Sequence, residues 1–167
     1  AGIPEAEWDA RLLLEYICKT NRNDLLVHGD REVEAGQQTA YETAITKRCM
    51  RIPLQHITGE QDFMGLTFHV NEHVLIPRQD TEILVEEILK NMQDYCRILD
   101  MCTGSGCILI SLLHYINWCE GVGVDISRLA LQMAEENARK LLVKEKYPLW
   151  VESNLFEAVE GKFDIIV

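Results

Sequence analysis

Cys96-Arg97-Ile98-Leu99-Asp100 followed by Met101-Cys102-Thr103-Gly104-Ser105-Gly106 decides the fold of this 167-residue chain. The first five residues are a short, mostly apolar run closed by an acid, the pattern of a buried strand. Thr103-Gly104-Ser105-Gly106 is a tight turn, and the apolar stretch 108–116 that follows has helix length. The same strand-turn-helix order then recurs. A second strand, 121–124, ends at Asp125; Ser127 can cap a helix over 129–142, with Ala130, Met133, Ala134, Ala138 and Leu141 on its inner face. Residues 149–151 and 163–167 read as third and fourth strands. Strands alternating with helices predict an α/β fold with a parallel sheet and right-handed crossovers.

Two further segments precede this one. Over 7–19, Trp8, Leu12 and Tyr16 recur at helical spacing beside Leu13 and Ile17. A polar break is expected at 20–24, then a weaker helix over 37–50 with Tyr41, Ala44, Ile45 and Cys49 on one side. Residues 1–51 are therefore expected to form a small helical domain. In 52–77, Leu66, Phe68 and Val70 alternate with polar residues, and Asn71-Glu72 turns the chain toward 74–76, which predicts a β-hairpin connector. Residues 78–167 make up the sheet domain, opening with a helix that Asp80 or Thr81 can cap.

Composition narrows the function. The formal charge is −11, from 16 basic and 27 acidic residues; nucleic acid requires cationic surface, so unless a local basic patch escapes this average the chain is a poor general binder of it. A basic protein is the better partner. No apolar run reaches the roughly 18 residues of a membrane span, and the N-terminus is not patterned as a signal peptide. The six cysteines form no Cys-x-x-Cys pair; they are expected to be reduced, without metal, in a cytoplasmic compartment. His69 and His73 lie in a strand and its turn and lack the helical His-Glu-x-x-His order, so they are read as surface residues. Glu82, Glu86 and Glu87 read as a solvated helix face, and Trp118 and Trp150 as core or boundary aromatics.

In an open parallel sheet, ligands bind beyond the carboxyl ends of the strands, where the glycine loop lies. By itself such a loop is as readily a bare strand-to-helix turn. A dinucleotide loop needs a third glycine where Leu109 stands, and a P-loop needs Gly-Lys-Ser/Thr; both are missing. Asp125 at the next strand end can accept two ribose hydroxyls, and Asp100 can accept from a cationic amino-acid end, directly or through water. Two carboxylates suit a ligand with an ammonium and a sulfonium better than a pyrophosphate. The loop is thus read as a site for S-adenosyl-L-methionine, and the chain as part of a methyltransferase.

Pro53-Leu54-Gln55-His56-Ile57-Thr58-Gly59-Glu60, Asp62-Phe63-Met64-Gly65-Leu66 and Val74-Leu75-Ile76-Pro77-Arg78-Gln79-Asp80-Thr81-Glu82 strongly resemble the HemK/PrmC family over nearly the whole chain. Its members methylate the glutamine of the Gly-Gly-Gln motif in peptide chain release factors. The resemblance implies a partial Rossmann-like S-adenosylmethionine-dependent methyltransferase sheet behind a helical, substrate-recognising domain. It also implies that Cys102, Thr103, Gly104, Ser105 and Gly106 line the methionine portion, with Asp125 on the ribose. Asn154 and Leu155 would contact adenine, although the family often has an acid and an aromatic there. Thr81 matches a position near the methionine end and reads equally as a helix cap. Two other readings stand beside this one: methylation of nucleic-acid amino groups, and a non-catalytic module that binds cofactor or partner.

In this family an Asn-Pro-Pro-Tyr motif follows the fourth strand and holds the target amide, whose nitrogen is a weak nucleophile. The sequence ends at Val167, where that motif is expected, so no catalytic residue is assigned. These 167 residues alone are expected to bind cofactor weakly, to expose the fourth strand as an edge, and to be inactive. The expected outcome is no labelled methyl on a release factor incubated with this chain and radioactive S-adenosylmethionine; clear incorporation overturns it.

Overall fold

A computed structural model describes residues 2–92 and 95–167; Ala1, where the expected helical domain starts, lies outside the described residues. By contacts the chain forms two compact units, Ala1–Gly59 and Glu60–Val167. The first unit thus runs on to Gly59, past the Arg51 at which the helical pattern was expected to end.

The first unit is helical: α1 (Ala6–Cys18), α2 (Arg22–Val27), α3 (Ala35–Cys49) and α4 (Leu54–Thr58). α1 packs on α3, and both touch α4. Leu13 and Ala44 are buried between them, whereas Trp8 and Tyr16, expected on the same stripe, are exposed. Arg11 lies over the Trp8 ring, 4.0 Å from its centre. A half-buried ion pair, Arg48 Nε to Asp9 Oδ2 at 2.7 Å, ties α3 to α1. The stretch expected as a polar break instead starts α2. Asn21 is its cap, its side chain accepting the Asp24 N–H at 3.0 Å; the residue type that suggested a break is also a strong helix initiator. α4 was not expected at all; it starts after Pro53 and stops at Gly59, whose φ is 77°.

In the second unit a hairpin comes first. β1 (Glu60–Phe63) pairs antiparallel with β2 (Leu66–His69). The expected partner, 74–76, forms no strand. The pairing differs because Met64 and Gly65, with φ of 50° and 72°, close a two-residue turn that selects the preceding strand. That turn is held from outside. Glu82 accepts the Met64 N–H at 2.6 Å, and the Tyr115 hydroxyl donates to the Met64 carbonyl at 2.6 Å. Glu82, expected to be solvated, is therefore half-buried and engaged. It stands in the first turn of α5 (Gln79–Asn91). Neither Asp80 nor Thr81 caps this helix: Arg78 occupies the cap position, with no side-chain bond.

Four parallel strands follow: β3 (Arg97–Met101), β4 (Glu120–Asp125), β5 (Leu149–Glu152) and β6 (Ile165–Ile166). All pair parallel, as the alternating pattern predicts, in the order β5-β4-β3-β6. The crossovers are α6 (Cys107–Tyr115) and α7 (Arg128–Leu141). Chain order runs outward from β3 to β5 and then returns to the other side of β3, so the carboxyl end of β3 is the switch point. Ile98, Leu109, Ile110 and Leu112, all fully buried, form the core between β3 and α6. Trp150 packs against this core. Trp118 is 72% exposed instead and stacks on Tyr95 at 6.3 Å.

The glycines of β4 have a packing cause. A Cβ at Gly121 would meet Leu113 Cδ1 at 2.8 Å and Leu109 Cδ1 at 2.9 Å; at Gly123 it would enter the Trp150 ring. Gly123→Ala should therefore destabilise the fold by about 2 kcal/mol. Urea unfolding followed by tryptophan fluorescence measures this. The double change Gly123→Ala with Trp150→Leu should recover part of the loss.

Candidate functional site

The site is built where β3 and β4 end. Asp100 is the fourth residue of β3, in the centre of the sheet, and is only 2% exposed. The Thr103 hydroxyl donates to its Oδ2 at 2.6 Å. Burial pushes the Asp100 carboxyl up from 3.8 to about 6, against the Thr103 bond, with the nearby Asp125 adding to the rise. The strand ladder continues into the loop, because the Thr103 N–H donates to the Val124 carbonyl at 2.9 Å.

Asp125 closes β4 and organises two backbones at once. Its Oδ2 accepts the Gly104 N–H at 3.0 Å and its Oδ1 accepts the Ser127 N–H at 2.9 Å. Each carboxylate oxygen retains a further lone pair. Ser127 then caps α7 as expected, accepting the Ala130 N–H at 3.3 Å. The two expected carboxylates and the loop are thus one bonded cluster.

The loop itself alternates in hand: Cys102, Gly104 and Gly106 have φ of 60°, 56° and 77°. The two glycines differ in why they are needed. A Cβ at Gly106 would meet Ile110 Cδ1 at 2.8 Å, so this residue serves packing. A Cβ at Gly104 would find nothing nearer than 4.0 Å, so the space beside it is open. Ser105 is 2% exposed. Cys102 is exposed at the rim, whereas Cys107, at the start of α6, is pushed up to about 12 by burial and is a protonated, inert thiol at neutral pH. All six cysteines are free.

Beyond β5 the chain turns back beside Asp125. The Ser153 N–H donates to the Asp125 carbonyl at 3.0 Å. The Ser153 hydroxyl donates to the Leu155 carbonyl and accepts the Ala158 N–H, both at 2.9 Å, which shapes the turn. An open cavity of about 270 Å³ lies there, lined by Ile126, Glu152, Ser153, Asn154, Glu157 and Ala158. Asn154 is brought to it, with its amide nitrogen held by Glu157 at 3.0 Å. Leu155, 55% exposed with φ of 53°, is not among the lining residues. Thr81 stands in the first turn of α5, and no polar contact links it to the loop among the described residues.

Sequence reasoning overlooked two residues. Ile126, 69% exposed, lines the cavity; an apolar residue directly after the strand-ending acid is the signal that was available. Asn137 on α7 is fully buried and bonds to the Ser105 carbonyl at 3.0 Å. Its spacing from Met133, Ala134 and Leu141 puts it on the inner face of the helix, a signal that was available, although nothing local names its partners.

Residues 1–59 match the PrmC N-terminal domain, and residues 78–167 match the methyltransferase small domain. A release factor glutamine methyltransferase of Borreliella burgdorferi is 39% identical over 161 residues, which are 95% of this chain and 56% of that protein. One of Leptospira interrogans is 40% identical over 171 residues, covering 99% of this chain and 59% of that protein. The chain thus spans a little over half the length of these relatives. Among solved structures, the tRNA (uracil-54, C5)-methyltransferase of Pyrococcus abyssi, in complex with S-adenosyl-L-homocysteine, superposes with a TM-score of 0.52 at 17% identity, over 64% of this chain and 26% of that one. That likeness concerns the fold alone.

Because its folded-state value lies above the ordinary one, Asp100 contributes stability that is fully present below about pH 4 and is lost as the pH rises through about 6. Asp100→Asn should remove this dependence. Wild type should lose up to about 3 kcal/mol relative to the variant between pH 4 and pH 7.5. Urea unfolding of both proteins at the two pH values measures the difference; equal pH profiles would show that burial does not tax the charge.

Proposed function

The chain belongs to the methyltransferase small domain family, and on that premise we propose that the whole protein methylates the side-chain amide of the Gly-Gly-Gln glutamine in a peptide chain release factor, with S-adenosyl-L-methionine as donor. One observation carries the cofactor part: two carboxylates, Asp100 and Asp125, bonded to a glycine loop that leaves open space beside Gly104. The spare lone pairs of Asp125 fit a polar ligand there. The substrate part rests on the curated relatives and on the match of residues 1–59.

When bound, the cofactor supplies a methyl group on a sulfonium, whose departure leaves a neutral sulfide. The residues of this chain bind and orient. Asp125 takes the ribose hydroxyls on its free lone pairs. Asp100 takes the cationic amino-acid end, directly or through water, and Cys102, Thr103, Gly104, Ser105 and Gly106 line the methionine portion. Asn154 meets the adenine edge through its amide oxygen. Ile126, which lines the cavity where Leu155 does not, forms the apolar wall for the adenine face. Thr81 is assigned to the methionine end on the resemblance alone. The helical unit 1–59 serves to recognise the release factor, and the protein works in the cytoplasm, where release factors act. No helix among the described residues is long and apolar enough to cross a membrane.

Calorimetric titration with S-adenosylhomocysteine should detect binding, and Asp125→Ala should weaken it at least about tenfold through loss of charge-assisted bonds. The whole protein should transfer labelled methyl to a release factor and not to one whose Gly-Gly-Gln glutamine is changed to alanine. Label appearing in nucleic acid instead would refute the substrate assignment.

A further inference from the structure

Asn137 is polar, fully buried, and uses its amide in three directions. Its Oδ1 accepts the His69 N–H at 2.7 Å, and its Nδ2 donates both to the His69 carbonyl and to the Ser105 carbonyl, each at 3.0 Å. His69 ends β2, and Ser105 is the centre of the glycine loop. One side chain on α7 therefore joins the hairpin to the loop.

Only an amide of this length meets all three demands. Asp would keep the acceptor but turn an oxygen, without a proton, toward two carbonyls. Leu fills the volume but leaves His69 and Ser105 with unpaired buried groups, which is the expensive half of losing a hydrogen bond. The other loop bonds run within the loop or to the ends of β3 and β4: Gly106 N–H to the Thr103 carbonyl, Gly104 N–H to Asp125, Thr103 N–H to the Val124 carbonyl and the Thr103 hydroxyl to Asp100. None of those reaches the hairpin. At its other end the hairpin is held by Glu82 and Tyr115.

We infer that Asn137 is a positioning residue that holds the glycine loop to the β1–β2 hairpin, so that order in the hairpin and affinity at the loop rise and fall together. By linkage the effect runs both ways: a ligand that orders the loop also protects the hairpin. The affinity half rests on the cofactor reading above; the order half does not.

Hydrogen exchange by mass spectrometry separates the two. In Asn137→Ala, segments 60–69 and 102–108 should both exchange about tenfold faster than in wild type, and S-adenosylhomocysteine should bind about tenfold more weakly. Asn137→Asp should behave alike; wild-type exchange in that variant would overturn the inference, since it lacks both donors. Asn137→Ser, a milder truncation, takes the place of either variant that does not fold. Val85→Ala, a core truncation on α5, is the control for general destabilisation. Loop protection and affinity that fall equally in Val85→Ala at the same loss of Tm would reduce Asn137 to a structural role and overturn the inference. If wild type binds no S-adenosylhomocysteine while both segments still respond to Asn137→Ala, the cofactor reading fails and the link between hairpin and loop stands.

Discussion

A carboxyl group buried at the end of the central strand is the constraint around which the second unit is organised. Asp100 stands on β3 with neighbours on both sides and α6 above, where water cannot reach it. Desolvation disfavours its charge, and the Thr103 hydroxyl answers only part of that penalty. Such a group persists where something besides stability retains it. The loop that follows must bend back at once to bring Thr103 under the carboxylate, and this bend places Cys102 and Gly104 in the left-handed region. The second acid, Asp125, then grips the loop from the neighbouring strand. Two negative groups converge on one concave backbone, which is the arrangement a cationic ligand would relieve.

Close packing brings the strands and helices near enough for this. Gly121 and Gly123 have no side chains, so α6 and Trp150 lie directly on β4. Gly106 allows the first turn of α6 to meet Ala134 on α7, where its missing Cβ would come within 3.2 Å. Small residues here are the contact surface of larger ones, and the glycine loop inherits its position from them. The hairpin joins the same assembly through polar bonds: Glu82 and Tyr115 at the turn, Asn137 at the far end.

Much of this was legible in the chain because local patterns and global fold agree. Apolar runs of strand length ending in Asp100 and Asp125, each followed by a turn and a helix, predict the parallel sheet. Ser127 predicts its own cap. The two acids and the loop between them could be named because strand ends converge in any such sheet. Misreadings fell where one residue type serves two purposes. Asn21 suggested a break and initiates α2. Met64 carries no turn signature, yet it takes a positive φ because Glu82 and Tyr115 bond its backbone from other elements. The hairpin was therefore paired with the wrong segment.

Periodicity and turn chemistry are properties of neighbouring residues, so the sequence by itself determined the fold class, the crossover helices, the acidic glycine loop and the family resemblance. Distant residues decided the rest. Burial of Asp100, the open space beside Gly104, the cavity wall at Ile126 and the three bonds of Asn137 each depend on groups brought together only when the chain closes on itself. Periodicity places Asn137 on the inner face of its helix, but what a buried amide bonds there is decided only when β2 and the loop arrive on either side of it. Its hydrogen-bond partners, 68 and 32 positions away, have no trace in the local pattern.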